Sequence, residues 1–284
     1  MTLDRTAVDG RLAGDVGTAD RVRARYAKTG RLRFVSAIDL SRVWERALRK
    51  AGLPIAYSEG FTPHPKVSFP DALPLGYAST GEYAELGFAE PITIGPAMRA
   101  LNDAFAGGCE VLDARGVLPG ERRLSKWLGR ALWCLSYPPE ADRAALTAAA
   151  EAVLAADRWP VPRERKGEVT EVDLRAPLVD LAVSDEDAPR VAALLDASEP
   201  PLRPTEVHAG LAAALSTTTA PHTDHSAAAG STLPKPRLIS RTAQGAPADG
   251  GLREALSGEH LAVTAAFDAT REELRLDRRD PTGA

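Results

Sequence analysis

Cysteine is nearly missing from this chain: Cys109 and Cys134 are the only two in 284 residues, and they form no CxxC pair. Their scarcity excludes a disulfide framework, a cysteine-built structural zinc site and a cysteine-ligated iron–sulfur cluster. Two scattered thiols suit a reducing compartment. Long apolar runs are missing too. No stretch approaches the roughly 18 residues that a membrane helix needs, and the first twenty residues, MTLDRTAVDGRLAGDVGTAD, lack the apolar core of a signal peptide. A cytoplasmic protein with no membrane contact is expected. Histidine is scarce, with five in all. His222 and His225 have a spacing that could meet a metal, but they sit in a low-complexity stretch without a third ligand, so neither metal nor cofactor is expected. No recognisable catalytic signature is present.

What is present is enough apolar residue, 44% of the chain, to bury a core in one large or two small domains. The net charge of −4 hides an uneven distribution. Between Arg21 and Lys66 stand eleven Lys or Arg against three acids, Asp39, Glu45 and Glu59, while the rest of the chain is strongly acidic. A basic block inside an acidic protein is the footprint of a surface that meets an anion such as an RNA backbone. A merely solvated helix face is the plainer alternative.

Hydrophobic periodicity gives the elements. RVRARYAK and, after Thr29-Gly30, RLRFVS both alternate, as one strand broken by a bulge or as a tight hairpin. From Asp39, Leu40, Val43, Trp44, Ala47, Leu48 and Ala51 recur at helical spacing, with Ser36 or Asp39 to cap the start, Gly52 to end the helix, and Arg42, Arg46, Arg49 and Lys50 opposite the apolar face. LPIAYS and EYAELGFA read as strands, PAMRALNDAF as a helix and CEVLDARGV as a strand. The order strand, helix, strand, strand, helix, strand is that of the ferredoxin-like split βαβ arrangement. A weaker copy follows: strand ALWCLSY, a helix over 141–156, strands around WPVPRE and EVTEVDL, a short element at 178–182, and helices over 188–195 and 205–215. The expected class is α+β, with two tandem ferredoxin-like units, the second degenerate, and a helical C-terminal extension. Residues 1–20 form a mobile leader, 21–120 the first unit, 121–215 the second, 216–250 a linker with a returning motif at 239–245, and 251–284 a helical tail.

The densest concentration of unusual residues is AYSEGFTPHPKVSFPDALPLGYASTGEYAE, from Ala56 to Glu85. Gly60, Pro63 and Pro65 set the loop's shape. His64 lies between two prolines, which extend its backbone and push its ring outward, and histidine titrates near neutrality. Lys66, two residues on, offers a point charge to a phosphate. Phe61 and Tyr57 offer stacking faces for unpaired bases, and Ser58 and Ser68 complete the expected contact surface. Arg31 and Arg33 alternate with Leu32 and Phe34, which on a strand places both cations on one face as an anion-binding ridge. Asp39, Glu82 and Glu85 are the acids nearest His64, although capping and strand-surface pairing account for them. Arg241 and Gln244, beside a glycine turn, are expected to return to the folded body and complete a site.

Several blocks together resemble the radical S-adenosylmethionine-linked protein family, a bacterial domain of unknown function found beside or fused to radical S-adenosylmethionine enzymes. They are RLRFVSAIDLSRVWERALRKAGLPIAYSEGFTPHPKVSF, ALPLGYASTGEYAELGF, EVDLRAPLVDL, RPTEV and LISRTAQGA. Members place a histidine just before the isoleucine or leucine of the S-x-x-D segment; this chain has Ala37. The resemblance implies a non-catalytic accessory partner of a radical S-adenosylmethionine enzyme, since the three-cysteine cluster motif is not in this chain. Together with the basic block it implies RNA as a further partner. Two other readings stand beside it: an RNA-modifying or RNA-cleaving enzyme with His64 as acid or base, and a pure protein–protein adaptor.

Overall fold

The computed structural model describes residues 17–198, 200–218 and 233–278. Most of the expected leader, most of the Ser/Thr/Ala/Pro/Gly stretch with His222 and His225, and the last residues of the expected tail lie outside the described residues. The class is α+β. Two compact units form, the first dominated by residues up to Trp127 and the second by Leu128 to Glu254.

The first unit is built from β1 (Thr18–Lys28), α1 (Ala37–Lys50), β2 (Val67–Ser68), β3 (Ala78–Thr93), α2 (Ile94–Ala104) and β4 (Cys109–Gly116). β1 is flanked on both sides, by β3 and by β4, and β2 pairs with β3; every one of these pairings is antiparallel. Val22, Ala24 and Tyr26 alternate along β1 toward the core, where α1 contributes Leu40, Trp44, Ala47 and Leu48, and α2 contributes Met98 and Leu101. An aromatic cluster sits at its centre: Trp44 meets Tyr26, Phe69 and Phe105 edge-on, with ring centroids 5.0, 5.5 and 5.2 Å away.

Helix α1 starts and stops where local chemistry dictates. The Ser36 hydroxyl accepts from the Asp39 amide at 3.2 Å, satisfying one of the free amides of the first turn. At the other end Gly52 takes φ +65°, the Leu53 amide reaches back to the Leu48 carbonyl and the Gly52 amide to that of Arg49, a Schellman closure.

Two expected strands are not formed. The segment RLRFVS is a 3-10 turn over Gly30–Phe34: Gly30 adopts φ +52°, the Thr29 amide is bonded to the Gly108 carbonyl, and Leu32 and Val35 then turn on Thr29 and Leu32. The ridge of Arg31 and Arg33 on one sheet face therefore does not exist. LPIAYS contributes only single bridges, Ile55 to Phe88 and Tyr57 to Pro65, because Pro54 and the return of the chain at Pro65 leave no room for a ladder.

In the second unit are β5 (Arg130–Ser136), α3 (Arg143–Ala155), β6 (Pro160–Arg165), β7 (Glu168–Asp173), β8 (Leu178–Val183), β9 (Arg190–Asp196), α4 (Pro204–Thr218), β10 (Leu238–Ala248), β11 (Gly251–Glu254), β12 (His260–Ala262) and the first half, to Arg271, of α5 (Ala265–Arg278). The order β10-β5-β9-β8 forms its sheet, β11 and β12 extend from β10, and β6 and β7 make a separate hairpin. Lys166 and Gly167, both at positive φ, turn that hairpin. The helix expected over 188–195 is β9 instead: its residues are buried on both faces, and such a short apolar run carries no period to separate strand from helix. The segment 239–245 lies within β10 rather than in a linker, and the chain after Leu252 makes two short strands before its helix. At Gly245 a Cβ would sit 1.8 Å from the Arg253 carbonyl oxygen, so glycine there serves the close approach of β10 and β11 and not a turn.

Truncating the aromatic centre tests this packing. Trp44→Ala is expected to cost about 3–5 kcal/mol, seen as a lower urea midpoint by far-UV circular dichroism; an unchanged midpoint would place Trp44 outside the core.

Candidate functional site

The eleven cations between Arg21 and Lys66 fall into two groups once their partners are known. Arg23 is 1% exposed. Its Nε donates to the Glu85 carboxylate at 2.8 Å, and its two terminal nitrogens reach Glu121 and the Arg122 carbonyl. Arg115 binds the same Glu121 carboxylate with two nitrogens, at 2.6 and 2.9 Å. The two guanidiniums, with an added bond from the Leu118 amide, hold the Glu121 carboxyl at a pKa of about 2, against the cost of its own burial. Lys28, also buried, donates to the Val35 carbonyl at 3.0 Å, and Arg25 to that of Thr80 at 2.9 Å. Arg42 pairs with Asp39, and Arg49 with Glu45, along the surface of α1. The Ser36 hydroxyl, then the Arg42 charge, pull the Asp39 carboxyl below its usual range.

Six cations are left, of which Arg33 and Lys50 reach only backbone carbonyls, those of Gly30 and Ala104. Among the described residues Arg21, Arg31, Arg46 and Lys66 make no side-chain hydrogen bond or ion pair, and all four are exposed. They divide between two clefts of about 460 Å³ that share no residue. Arg31 and Arg46, joined by Lys50, line one, over Leu32, Val43 and Phe105. Arg21, Lys66 and Ser68 line the other, in company with Asp20 and Glu85. Arg31 and Lys66, both expected to meet an anion, thus stand in different clefts. Arg33 turns back to the Gly30 carbonyl at 3.1 Å and lies over the Phe34 ring.

The loop after α1 is nevertheless shaped as its prolines and glycine demand. Its two limbs are tied at Ser58 and His64: the Ser58 amide donates to the His64 carbonyl at 2.8 Å, and the His64 amide to the Ser58 hydroxyl at 3.0 Å. Deeper in, the Lys66 amide bonds the Ala56 carbonyl, the Ala56 amide bonds that of Gly87, and the Gly87 amide bonds that of Lys66. A Cβ on Gly87 would stand 3.2 Å from the Lys66 Cβ, so the small residue on β3 lets the loop seat. Beyond the tie, Gly60 at φ +130° carries the turn, and Phe61 is as exposed as a side chain can be, at 109% of its reference area. Tyr57 is 46% exposed; His64 is exposed, and its ring has no partner among the described residues. Among the described residues no acid is bonded to the His64 ring: Glu85 is held by Arg23, Asp39 by Ser36 and Arg42, and Glu82 is buried on β3.

Arg241 and Gln244 belong to β10 in the second unit and are 3% and 2% exposed, with Arg241 stacked over the Trp133 ring at 5.5 Å. They line neither cleft. Both cysteines are buried thiols, and burial drives the Cys109 thiol far above its ordinary range, so neither is poised as a nucleophile. The sequence placed Arg46 and Lys50 on the polar face of α1 without naming them as contact residues, and the structure sets both on the wall of the first cleft. Sequence reasoning missed the Arg23–Glu121 pair, which joins residues 98 apart and leaves no local signal.

A family model described as an uncharacterized protein conserved in bacteria (DUF2344) matches residues 21–204. The chain belongs to this family. The DUF2344 match takes in α1, α2, the loop at 57–68, the whole of the first cleft and all of the second but Asp20, and runs through β9 to the start of α4. A search of curated proteins finds no match. No helix among the described residues is long and apolar enough to cross a membrane.

The charge network makes a pH prediction. The Glu121 carboxyl is held at about 2 when folded, below its ordinary 4.5, so its contribution is complete above pH 4.5 and is lost as pH falls toward 2. Glu121→Gln, which removes one of the two carboxylates that meet Arg23 and leaves it Glu85, is expected to destabilise the protein by about 1.5–3 kcal/mol at pH 7 and to flatten its acid unfolding limb. Urea melts at pH 3 and pH 7 check this; an equal effect at both would contradict it.

Proposed function

We propose that this protein is a non-catalytic accessory factor that binds single-stranded RNA through the loop at 57–68, in the service of a radical S-adenosylmethionine enzyme. The observation that carries the RNA reading is Phe61: an aromatic ring held wholly in solvent at the tip of a loop braced by Ser58, His64 and Gly87. Burying a phenylalanine is the norm, and a rigid exposed one is what base stacking uses. Lys66 and Arg21 near the loop's base supply phosphate contacts, and Ser58, Ser68, Tyr57 and His64 supply polar and stacking contacts around them. The enzyme partner rests on the family resemblance of RLRFVSAIDLSRVWERALRKAGLPIAYSEGFTPHPKVSF alone. The strand order β4-β1-β3 with β2 against β3 supports a ferredoxin-like reading of the first unit, with the second as its degenerate counterpart.

The lack of any hydrogen bond or ion pair from the His64 ring among the described residues favours binding over acid–base catalysis, which needs a second group within hydrogen-bond reach. Fluorescence anisotropy with a labelled single-stranded RNA is the test. Phe61→Ala is expected to weaken binding by about 1–3 kcal/mol, and Lys66→Ala to lower the log-salt slope by about one. His64→Ala is expected to leave affinity nearly intact. Absence of RNA binding by the folded wild type, or indifference to Phe61→Ala, would overturn the RNA reading.

A further inference from the structure

We infer that the cleft between the end of α1, the 3-10 turn and the chain leaving α2 is a binding site for a small phosphorylated organic molecule. Three cations line it: Arg31 from the turn, and Arg46 and Lys50 one helical turn apart on α1. None of its lining residues is acidic, in contrast to the second cleft, where Asp20 and Glu85 offset Arg21 and Lys66. Neither Arg31 nor Arg46 has an internal hydrogen bond or ion pair among the described residues, and Lys50 has only a long contact, 3.4 Å, to the Ala104 carbonyl. On the same protein the other arginines show how readily a guanidinium finds a carboxylate: Arg23, Arg42, Arg49, Arg115, Arg130 and Arg163 all do. Neither arginine lining this hollow is paired directly with a carboxylate, although Arg46 feels the more distant charge of Asp39, and both are poised for an anion from outside.

The shape selects the class of anion. The volume, about 460 Å³, lies in the range of small-molecule sites. Its wall is apolar where Leu32, Val43 and Phe105 contribute, which suits a ligand with a hydrophobic or planar body behind its phosphate. An RNA backbone needs cations strung along a track, whereas these three converge on one hollow. Arg31 and Arg46 bring planar forks that match phosphate oxygens two at a time, and Lys50 adds a point charge. Phe105 is fixed by its contact with Trp44, so the floor is preformed. The site uses no residue of the loop at 57–68 and does not depend on the RNA reading.

Isothermal titration calorimetry of the full chain with pyrophosphate, with adenosine monophosphate and with adenosine is the test. Saturable binding of adenosine monophosphate tighter than that of pyrophosphate, with none of adenosine, is expected. Arg46→Ala and Lys50→Ala are each expected to weaken it about tenfold or more, the loss of one charge-assisted contact, while Lys66→Ala leaves it unchanged. Both variants alter exposed side chains, and thermal melts identical to wild type establish that they fold. Failure of either anion to bind the folded wild type, or binding undiminished in Arg46→Ala, would overturn the proposal. So would Arg46→Ala weakening RNA binding while the wild type ignores both small anions, because the cleft would then be a stretch of RNA track.

Discussion

The constraint on which the first unit depends is the position of β1. It has a strand on each side and a helix-covered face beneath, so Arg23, Arg25 and Lys28 find their partners inside the protein, whereas Arg21, near its start, is exposed. Arg23 is met by Glu85 from the neighbouring strand and by Glu121 from beyond β4, and Glu121 is in turn shared with Arg115. A buried guanidinium without those carboxylates would cost more than the sheet gains from the residue, and breaking such a pair from either side is destabilising for the same reason. The network thus joins β1, β3 and the segment after β4 through charge as well as through backbone pairing.

The same constraint decides what the surface can offer a ligand. A basic block counted along the sequence treats all its charges alike, but internal carboxylates and carbonyls take up most of them before any partner arrives. The cations that remain lie in the 3-10 turn and on α1 (Arg31 and Arg46), near the start of β1 (Arg21) and where the loop returns to β3 (Lys66). Glycine has a matching part in placing them. Gly30 ends the strand and starts the turn that presents Arg31, and Gly87 opens β3 to the backbone of Lys66.

Legibility followed locality. Helix α1 could be read from its apolar spacing, Ser36 and Gly52, because capping is chemistry among neighbours in sequence. The hairpin at Lys166-Gly167 and the rigid loop around Pro63 and Pro65 were legible for the same reason. RLRFVS was not: its alternation is that of a strand, and only the bond from Thr29 to Gly108, 79 residues away, shows that the strand has already ended. The segment with Arg241 and Gln244 looked like a polar return beside a turn, because the strands that bury it lie far away in sequence. Arg31 and Lys66 fall in different clefts for a related reason: their separation depends on how α1 and β3 place the two ends of a long connection, which no residue in it encodes alone.

The central claim, that Arg23 in β1 is held inside by its carboxylates while Arg31 and Arg46 are left for a ligand, is open to direct measurement by arginine-specific modification with phenylglyoxal under native conditions, read by peptide mass spectrometry. Arg31 and Arg46 are expected to react readily and Arg23 to stay unmodified until the protein is unfolded. Modification of Arg23 at the rate of Arg46 in the native protein would contradict the account.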